Sequence, residues 1–352
     1  MLTERVDPEH SPSARERLVV RRVAELLTSY LGGAESTISS DRTVDAVIEV
    51  GAHRFYLEIL AHPSSARIEF KARRLVADMK LDGPPRVPLL VVPQMGPAGR
   101  DLCRSLGMSW IDEAGNADIR SGSLRILVEG KRPATKPRGR PTDLFAPRSS
   151  RVARALLVDD TPLTQAELVA ATGLSQGFVS RIVTSLEEKG YVHRDAGKVV
   201  LESRRGLLVD WDAGYDFSRH TVVRGHSPNA MSETPATTLG ALLHDIDVRH
   251  AATGLAAAWL LAPFAGFRIT TFFVERALEE AELKRLQFRE TDKGANVWLV
   301  VPQDAGVFFG MTTEHDIPCV HPVQAYLDLG AHPERATEAK SALVERRLGW
   351  MR

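Results

Sequence analysis

The sequence predicts a multidomain protein of the α+β class. The chain has 352 residues, of which 43% are hydrophobic, and this is enough for more than one buried core. Helix-type and strand-type hydrophobic patterns alternate along it. A basic, proline-rich segment interrupts these patterns and divides the chain. We therefore expect four segments, at residues 1–130, 131–150, 151–217 and 218–352.

The N-terminal segment, residues 1–130, alternates predicted helices and strands. Helices are predicted over 15–31, 66–79 and 99–106, and strands over 44–50, 54–60, 87–92, 109–111, 118–120 and 124–128. Such an order implies a mixed sheet flanked by helices.

This layout resembles the restriction-endonuclease-like fold of the PD-(D/E)XK nucleases. The resemblance implies a Mg²⁺ site formed by an acid on one strand and a Glu-x-Lys on the next. Asp45 and Glu58 match the two acids, but Leu60 replaces the lysine. An apolar side chain cannot activate water, so we expect vestigial acids and no nuclease activity. Two alternatives are a lysine supplied by Lys71 or Lys80, and ordinary polar residues at strand ends.

Residues 131–150 form a basic linker, because their Pro and Gly content disfavours both helix and strand. Within the linker, KPRGRP resembles the AT-hook core, in which arginines around a glycine occupy a narrow A·T minor groove. The predicted groove contacts are Lys136, Arg138, Gly139 and Arg140. The alternative is a linker that only keeps the chain soluble.

Residues 163–201 show two helices followed by a hairpin. The first helix is predicted over 165–171, Gly173 makes the turn, and the second helix runs from Ser175 to about Lys189. Gly197 lies near the tip of the hairpin. Hydrophobic residues recur at helical intervals along the second helix; they are Val179, Ile182, Val183 and Leu186. This order predicts a winged helix-turn-helix, whose second helix reads DNA.

The opposite face of the second helix carries small or hydrogen-bonding residues that suit contact with a major groove. Ser175 is the predicted N-cap, which leaves amide donors for a phosphate. Arg194 and Lys198 place positive charge on the wing. The predicted DNA contacts are Ser175, Gln176, Gly177, Ser180, Arg181, Thr184, Arg194 and Lys198. The alternative is a winged helix that serves as a protein–protein module.

The last segment is predicted to be α+β. Residues 206–217 predict an apolar connection and residues 218–238 an irregular loop. Beyond them, helices are predicted over 250–261, 278–286, 323–329 and 333–348, and strands over 267–274, 297–301 and 307–309.

Neither a metal nor a cofactor is predicted. Acids at the start of a helix account for the cluster HDIDVRH, and Cys319 and His321 lack a zinc spacing. No phosphate-binding glycine loop is present. Cys103 and Cys319 lie far apart, which favours a reducing cytoplasm over a disulfide scaffold. The longest apolar run is interrupted by Pro263 and is shorter than the roughly 20 residues of a membrane span.

With these segments placed, the chain resembles the AbiEi-type antitoxins of type IV toxin–antitoxin systems, a family of bacterial transcriptional regulators. Similar stretches lie at 107–119, 139–157, 253–264, 296–309 and 319–329. The resemblance implies an autoregulating repressor that binds double-stranded DNA and is functionally linked to a nucleotidyltransferase-like toxin. It is compatible with a homodimer. The nuclease-like N-terminal domain is a departure from the shorter family members.

The sequence thus predicts a cytoplasmic, non-enzymatic DNA-binding regulator. One alternative is a Mg²⁺-dependent DNA nuclease targeted by its winged helix. Another is an interaction scaffold in which the winged helix is a dimer interface.

Overall fold

The structure is a computed structural model that describes residues 3–5, 14–41, 43–78, 86–122, 124–132, 143–159, 161–264, 266–291, 293–332 and 335–351. The chain forms two compact units, Met1–Pro141 with Glu188–Tyr191, and Thr142–Glu187 with Val192–Arg352. Lys80 and the AT-hook-like residues lie outside the described residues; the latter are Lys136, Arg138, Gly139 and Arg140.

The N-terminal unit contains an eight-stranded mixed sheet whose spatial order follows the chain. Its strands are Thr3–Arg5 (β1), Ser36–Asp41 (β2), Val44–Val50 (β3), His53–Ile59 (β4), Arg86–Val92 (β5), Ser109–Asp112 (β6), Ala117–Ser121 (β7) and Leu124–Val128 (β8). Its helices are Ala14–Tyr30 (α1), Ser65–Asp78 (α2) and Pro97–Leu106 (α3). The central strands β4, β5 and β6 run parallel, and α2 and α3 provide the two crossovers that parallel strands require.

Both faces of this sheet are buried, as the alternation along β5 demonstrates. Val87, Leu89 and Val91 belong to one hydrophobic core. Leu90 and Val92 belong to the core on the other face. A continuous apolar run is typical of such a strand, and this explains why β5 was predicted. Strand β2, which pairs with β1 and β3, was missed because its sequence, STISSD, is mostly polar.

The second unit begins with helix Ser150–Val158 (α4) and strand Leu163–Thr164 (β9). Helices Gln165–Thr172 (α5) and Gln176–Glu188 (α6) follow, and then strands Val192–Asp195 (β10) and Lys198–Leu201 (β11). The three strands form a sheet in the order β10-β11-β9. The predicted winged helix-turn-helix is confirmed, and α4 adds a helix before it.

The remainder of this unit is a seven-stranded mixed sheet with helices. The helices are Arg204–Gly214 (α7), Pro235–Asp245 (α8), Gly254–Leu261 (α9), Glu280–Arg285 (α10), Pro322–Asp328 (α11) and Ala336–Arg346 (α12). The strands are Thr221–His226 (β12), His250–Thr253 (β13), Thr270–Val274 (β14), Arg289–Glu290 (β15), Val297–Val301 (β16), Thr312–Glu314 (β17) and Ile317–Cys319 (β18). Their spatial order is β15-β12-β16-β14-β13-β18-β17.

Several predictions for this region were wrong. The expected connection over 206–217 is largely helix α7, in which Leu207, Leu208 and Trp211 are buried. The expected irregular loop over 218–238 contains β12, which pairs along its length with β16. Tertiary pairing outweighs a weak local pattern at this strand.

The alanine-rich segment 250–261 is likewise not one helix. Its first four residues form β13, which pairs with β14 and β18. The strand expected over 307–309 is instead a 3-10 helix, Ala305–Phe308, which Asp304 caps by accepting the amide of Gly306. The cluster HDIDVRH lies at the end of α8 rather than at a helix start. No described helix is both long and apolar enough to cross a membrane.

Candidate nucleic-acid interface

Local hydrogen bonds define the helix-turn-helix. A capping box begins α5, since the amide of Glu167 donates to the Thr164 hydroxyl at 3.2 Å and the Thr164 amide donates to the Glu167 carboxylate at 2.7 Å. Gly173 ends the helix in the left-handed region, at φ 65°, where glycine has no steric cost. The carbonyl of Ser175 then accepts the amides of Phe178 and Val179, which places Ser175 at the N-cap of α6.

The two faces of α6 differ as the sequence predicts. Its four periodic hydrophobic residues, Val179, Ile182, Val183 and Leu186, are buried. The predicted DNA contacts share the other face: Ser175, Gln176, Gly177, Arg181 and Thr184 are exposed, and Ser180 is half-buried. Residues three and four apart are neighbours on a helix, so these side chains form one continuous polar surface. Their role in DNA binding stays a prediction.

Two arginines flank the half-buried ring of Phe178 on this surface. The guanidinium carbon of Arg181 lies 5.5 Å from the ring centroid, and that of Arg148 lies 5.8 Å from it. Both arginines are exposed. Cation–π attraction therefore orients two positive charges beside the first half of α6. Arg148 was not predicted as a contact, although its place at the end of the basic stretch was a signal.

The wing is a tight hairpin, and Arg194 holds it against α6. Asp195 pairs with Lys198, and the intervening Ala196 and Gly197 have φ values of 46° and 80°, as a type I′ turn requires. Arg194 contacts the carboxylate of Glu187 and donates to the Thr184 hydroxyl at 3.0 Å. Much of its charge is thus balanced within the protein. Lys198 is exposed.

Arg151 joins the winged helix to the C-terminal domain. Its Nε and Nη2 donate to the two carboxylate oxygens of Asp304, each at 2.8 Å, and its Nη1 donates to the carbonyl of Thr172 at 3.0 Å. Bidentate pairing of this kind fixes both position and angle. Helix α4, the end of α5 and the 3-10 helix after β16 are therefore held together.

A buried polar network makes a second connection. Arg154 is only 4% exposed, stacks on Trp211 at 4.9 Å, and donates through Nη1 to the side-chain oxygen of Gln324. The amide nitrogen of Gln324 donates to the Asp328 carboxylate at 2.7 Å. Burial lowers the pKa of Arg154 and raises the pKa of Asp328 to about 6, because a low-dielectric interior disfavours both charges.

The two acids of the N-terminal unit have partners inside the protein. Asp45 is exposed, and its carboxylate accepts the amide of Ile59 at 2.7 Å. Glu58 is buried and forms an ion pair with Lys71 of α2. Leu60 is 4% exposed and belongs to the hydrophobic core. Lys71 thus contacts one of the two acids. Among the described residues, no group of three His, Cys, Asp or Glu side chains is placed to hold a metal.

Comparison with known protein families gives a match to the winged helix segment. The sequence model of the MarR family matches residues 146–198, from just before α4 to the first residue of β11. No curated protein and no solved structure matches the chain. The matched segment is the winged helix-turn-helix described above. The chain therefore carries a MarR-family winged helix domain, which supports a DNA-binding transcriptional regulator.

Proposed function

We propose that this protein is a transcriptional repressor that reads its operator with helix α6 in the major groove. The observation that carries the proposal is the exposed polar face of α6, with Arg148 and Arg181 oriented on Phe178, inside the MarR-type segment. An oriented guanidinium can bond two guanine acceptors at once, or a phosphate. The small residues beside it, Gly177 and Ser180, allow the helix to approach the bases closely.

The finer proposal is an autoregulating, antitoxin-like repressor linked to a nucleotidyltransferase-like toxin. Its support is the resemblance to AbiEi-type antitoxins, which covers both the winged helix and parts of the C-terminal domain. A reporter placed behind the promoter of the protein's own operon tests autoregulation. We expect repression by the wild type and release by Arg181→Ala. Growth rescue on co-expression with a neighbouring toxin gene tests the antitoxin role independently.

DNA binding itself is tested by fluorescence anisotropy at fixed salt, with duplexes enriched from a random pool. Arg181→Ala should cost about 1 to 3 kcal/mol and relax sequence preference, since it removes a base contact. Arg148→Ala should weaken binding to all sequences and reduce the salt dependence by about one counterion. Arg346→Ala, an exposed arginine on α12, is the matched control. Equal affinity and equal specificity of all four proteins would exclude α6 as the reading helix.

We also propose that the N-terminal unit is a catalytically silent nuclease-like domain. The strand and helix order from α1 to β6, with three parallel central strands, supports the resemblance in fold. The burial of Leu60 supports the lack of activity, because an apolar side chain cannot activate water. The contact of Lys71 with Glu58 is the arrangement that the alternative of a substitute lysine requires.

A further inference from the structure

A cavity of about 170 Å³ lies in the second unit between the winged helix and the C-terminal domain. The winged helix lines it with α4 and the end of α5, and the C-terminal domain with the residue before β13 and the 3-10 helix after β16. The lining residues are Arg151, Arg154, Ala171, Thr172, Arg249, Ala305, Gly306 and Phe309. A cavity of about 150 Å³ holds one benzene ring, so this cavity admits an occupant of that size.

The lining contains three arginines and no acidic side chain. The charge of Arg151 is balanced, because all three of its bonds described above go to Asp304 and to the Thr172 carbonyl. Neither of the other two arginines donates a hydrogen bond directly to a carboxylate among the described residues, although Asp328 and Asp304 lie close enough to act on the charge of Arg154. These two arginines line the cavity from different domains. Arg154 belongs to α4, and Arg249 directly precedes β13.

Arg154 is the buried member of the pair. Its Nε is buried and has no hydrogen-bond partner among the described residues. Its Nη1 contacts only a neutral amide, that of Gln324, and the Asp328 carboxylate lies beyond that amide. A buried donor without a partner is costly, and a buried cation is stabilised when an anion comes within bonding distance.

Arg249 is the accessible member. It is exposed, and its guanidinium carbon lies 4.7 Å from the ring centroid of Phe308. Within the described part of the chain it forms no side-chain ion pair. The stacking holds the charge at the cavity without neutralising it, and the exposed position leaves a route by which a solute can enter.

We infer that this cavity is a binding site for a compact oxyanion, a carboxylate or a phosphate of about one ring in size. Arg154 contacts the anionic group in the interior of the cavity, and Arg249 contacts it at the entrance. Because the walls belong to both domains, the occupant contacts the DNA-binding module and the C-terminal domain together. Any difference in its affinity between free and DNA-bound protein must change DNA affinity by the same factor. This regulatory consequence rests on the proposed function, whereas anion binding does not.

The binding test uses the full chain without DNA, in isothermal titration calorimetry. The probes are benzoate, glycerol 3-phosphate and inorganic phosphate, with benzamide and glycerol as neutral counterparts. We expect one site per chain for at least one anion and no heat of binding for its neutral counterpart. The benzoate and phosphate arms tell a carboxylate site from a phosphate site. Failure of all three anions to bind would overturn the inference.

Two variants locate the site. Arg249→Gln should lower the affinity for the anion roughly tenfold or more, as expected for the loss of charge-assisted hydrogen bonds. Arg346→Gln, at an exposed position of α12, should bind the anion as the wild type does. Arg154→Gln adds a test of the interior only if its circular dichroism matches the wild type, and Arg249→Gln decides the matter otherwise. Wild-type affinity in Arg249→Gln would exclude this cavity.

The regulatory consequence has its own readout, the DNA affinity measured with and without saturating anion. A change in affinity that disappears in Arg249→Gln supports coupling through this cavity. Unchanged DNA affinity would overturn the coupling and leave the anion site standing. Absence of DNA binding under every condition would count against the proposed function and not against the site.

Discussion

At the residue scale, the buried carboxyl group of Asp328 has an unusual environment. It accepts hydrogen bonds from Tyr215 at 2.6 Å, from Gln324 at 2.7 Å and from Thr253 at 2.5 Å. Burial raises the pKa of Asp328 to about 6, and these donors oppose that rise. The folded protein therefore binds a proton here more tightly than the unfolded chain, whose reference value is 3.8.

This shift predicts a pH dependence of stability. The contribution of Asp328 is fully present below about pH 4 and is lost as the pH rises through about 6, because the folded state then gives up a proton that it had favoured. The free energy of unfolding in urea is measured for the wild type and for Asp328→Asn between pH 4 and about pH 6. The difference between the two proteins should change by about 3 kcal/mol over this range. If the free energies of unfolding of the two proteins changed with pH in parallel, the raised pKa of Asp328 would be contradicted.

His220 titrates in the same window with the opposite sign. Burial is the main cause that lowers the pKa of His220 to about 4 from 6.5, so its contribution is lost as the pH falls from 6.5 towards 4. Its ring nitrogen Nε2 lies 2.9 Å from the hydroxyl of Tyr215, which also contacts Asp328. Asp328→Asn should remove the decline in stability that occurs as the pH rises. His220→Gln should make that decline steeper, because it removes the opposing contribution of His220. The pair of variants thus separates the two groups.

At the scale of the element, the wing turn departs from the residue types that its backbone favours. Ala196 has a φ of 46°, a left-handed conformation that costs a residue with a Cβ roughly 1–2 kcal/mol. The Ala196-Gly197 turn still closes the hairpin because the register of β10 and β11 fixes it.

Substitution of this alanine should therefore stabilise the protein. Ala196→Gly should raise the free energy of unfolding by about 0.5 kcal/mol, since relief of strain exceeds the added flexibility of the unfolded chain. The matched control is Ala170→Gly at an exposed position inside α5, which should lower it by about 1 kcal/mol. Thermal unfolding of both variants shows whether each substitution raises or lowers the free energy of unfolding. A destabilising Ala196→Gly would show that the turn carries no strain.

At the scale of the whole molecule, catalytic silence of the N-terminal unit is the main functional prediction. Purified protein should leave supercoiled and linear DNA intact with Mg²⁺ or Mn²⁺, because Leu60 replaces the lysine of the motif and cannot activate water. Asp45→Ala and Glu58→Ala serve as controls for contaminating nuclease. Cleavage by the wild type that is lost in both variants would favour the nuclease alternative.

The sequence by itself determined the helix-turn-helix and the central strands of the N-terminal sheet. Their signals are local: Thr164 and Glu167 cap α5, Gly173 permits the left-handed turn, and α6 repeats its apolar residues at helical spacing. Strand β5 is apolar from Val87 to Val92 because both of its faces are buried. Short-range sterics, hydrogen bonds and periodicity are enough to fix such elements.

Only the tertiary structure decided β12, β13 and the contacts of the buried charges. The alanine-rich β13 favours a helix locally and becomes a strand because β14 and β18 supply its hydrogen bonds. Arg154 and Gln324 are separated by 170 residues in the sequence, and no spacing rule brings them together. Strand pairing and desolvation depend on neighbours distant in the chain, which is why the anion-sized cavity could be recognised only after folding.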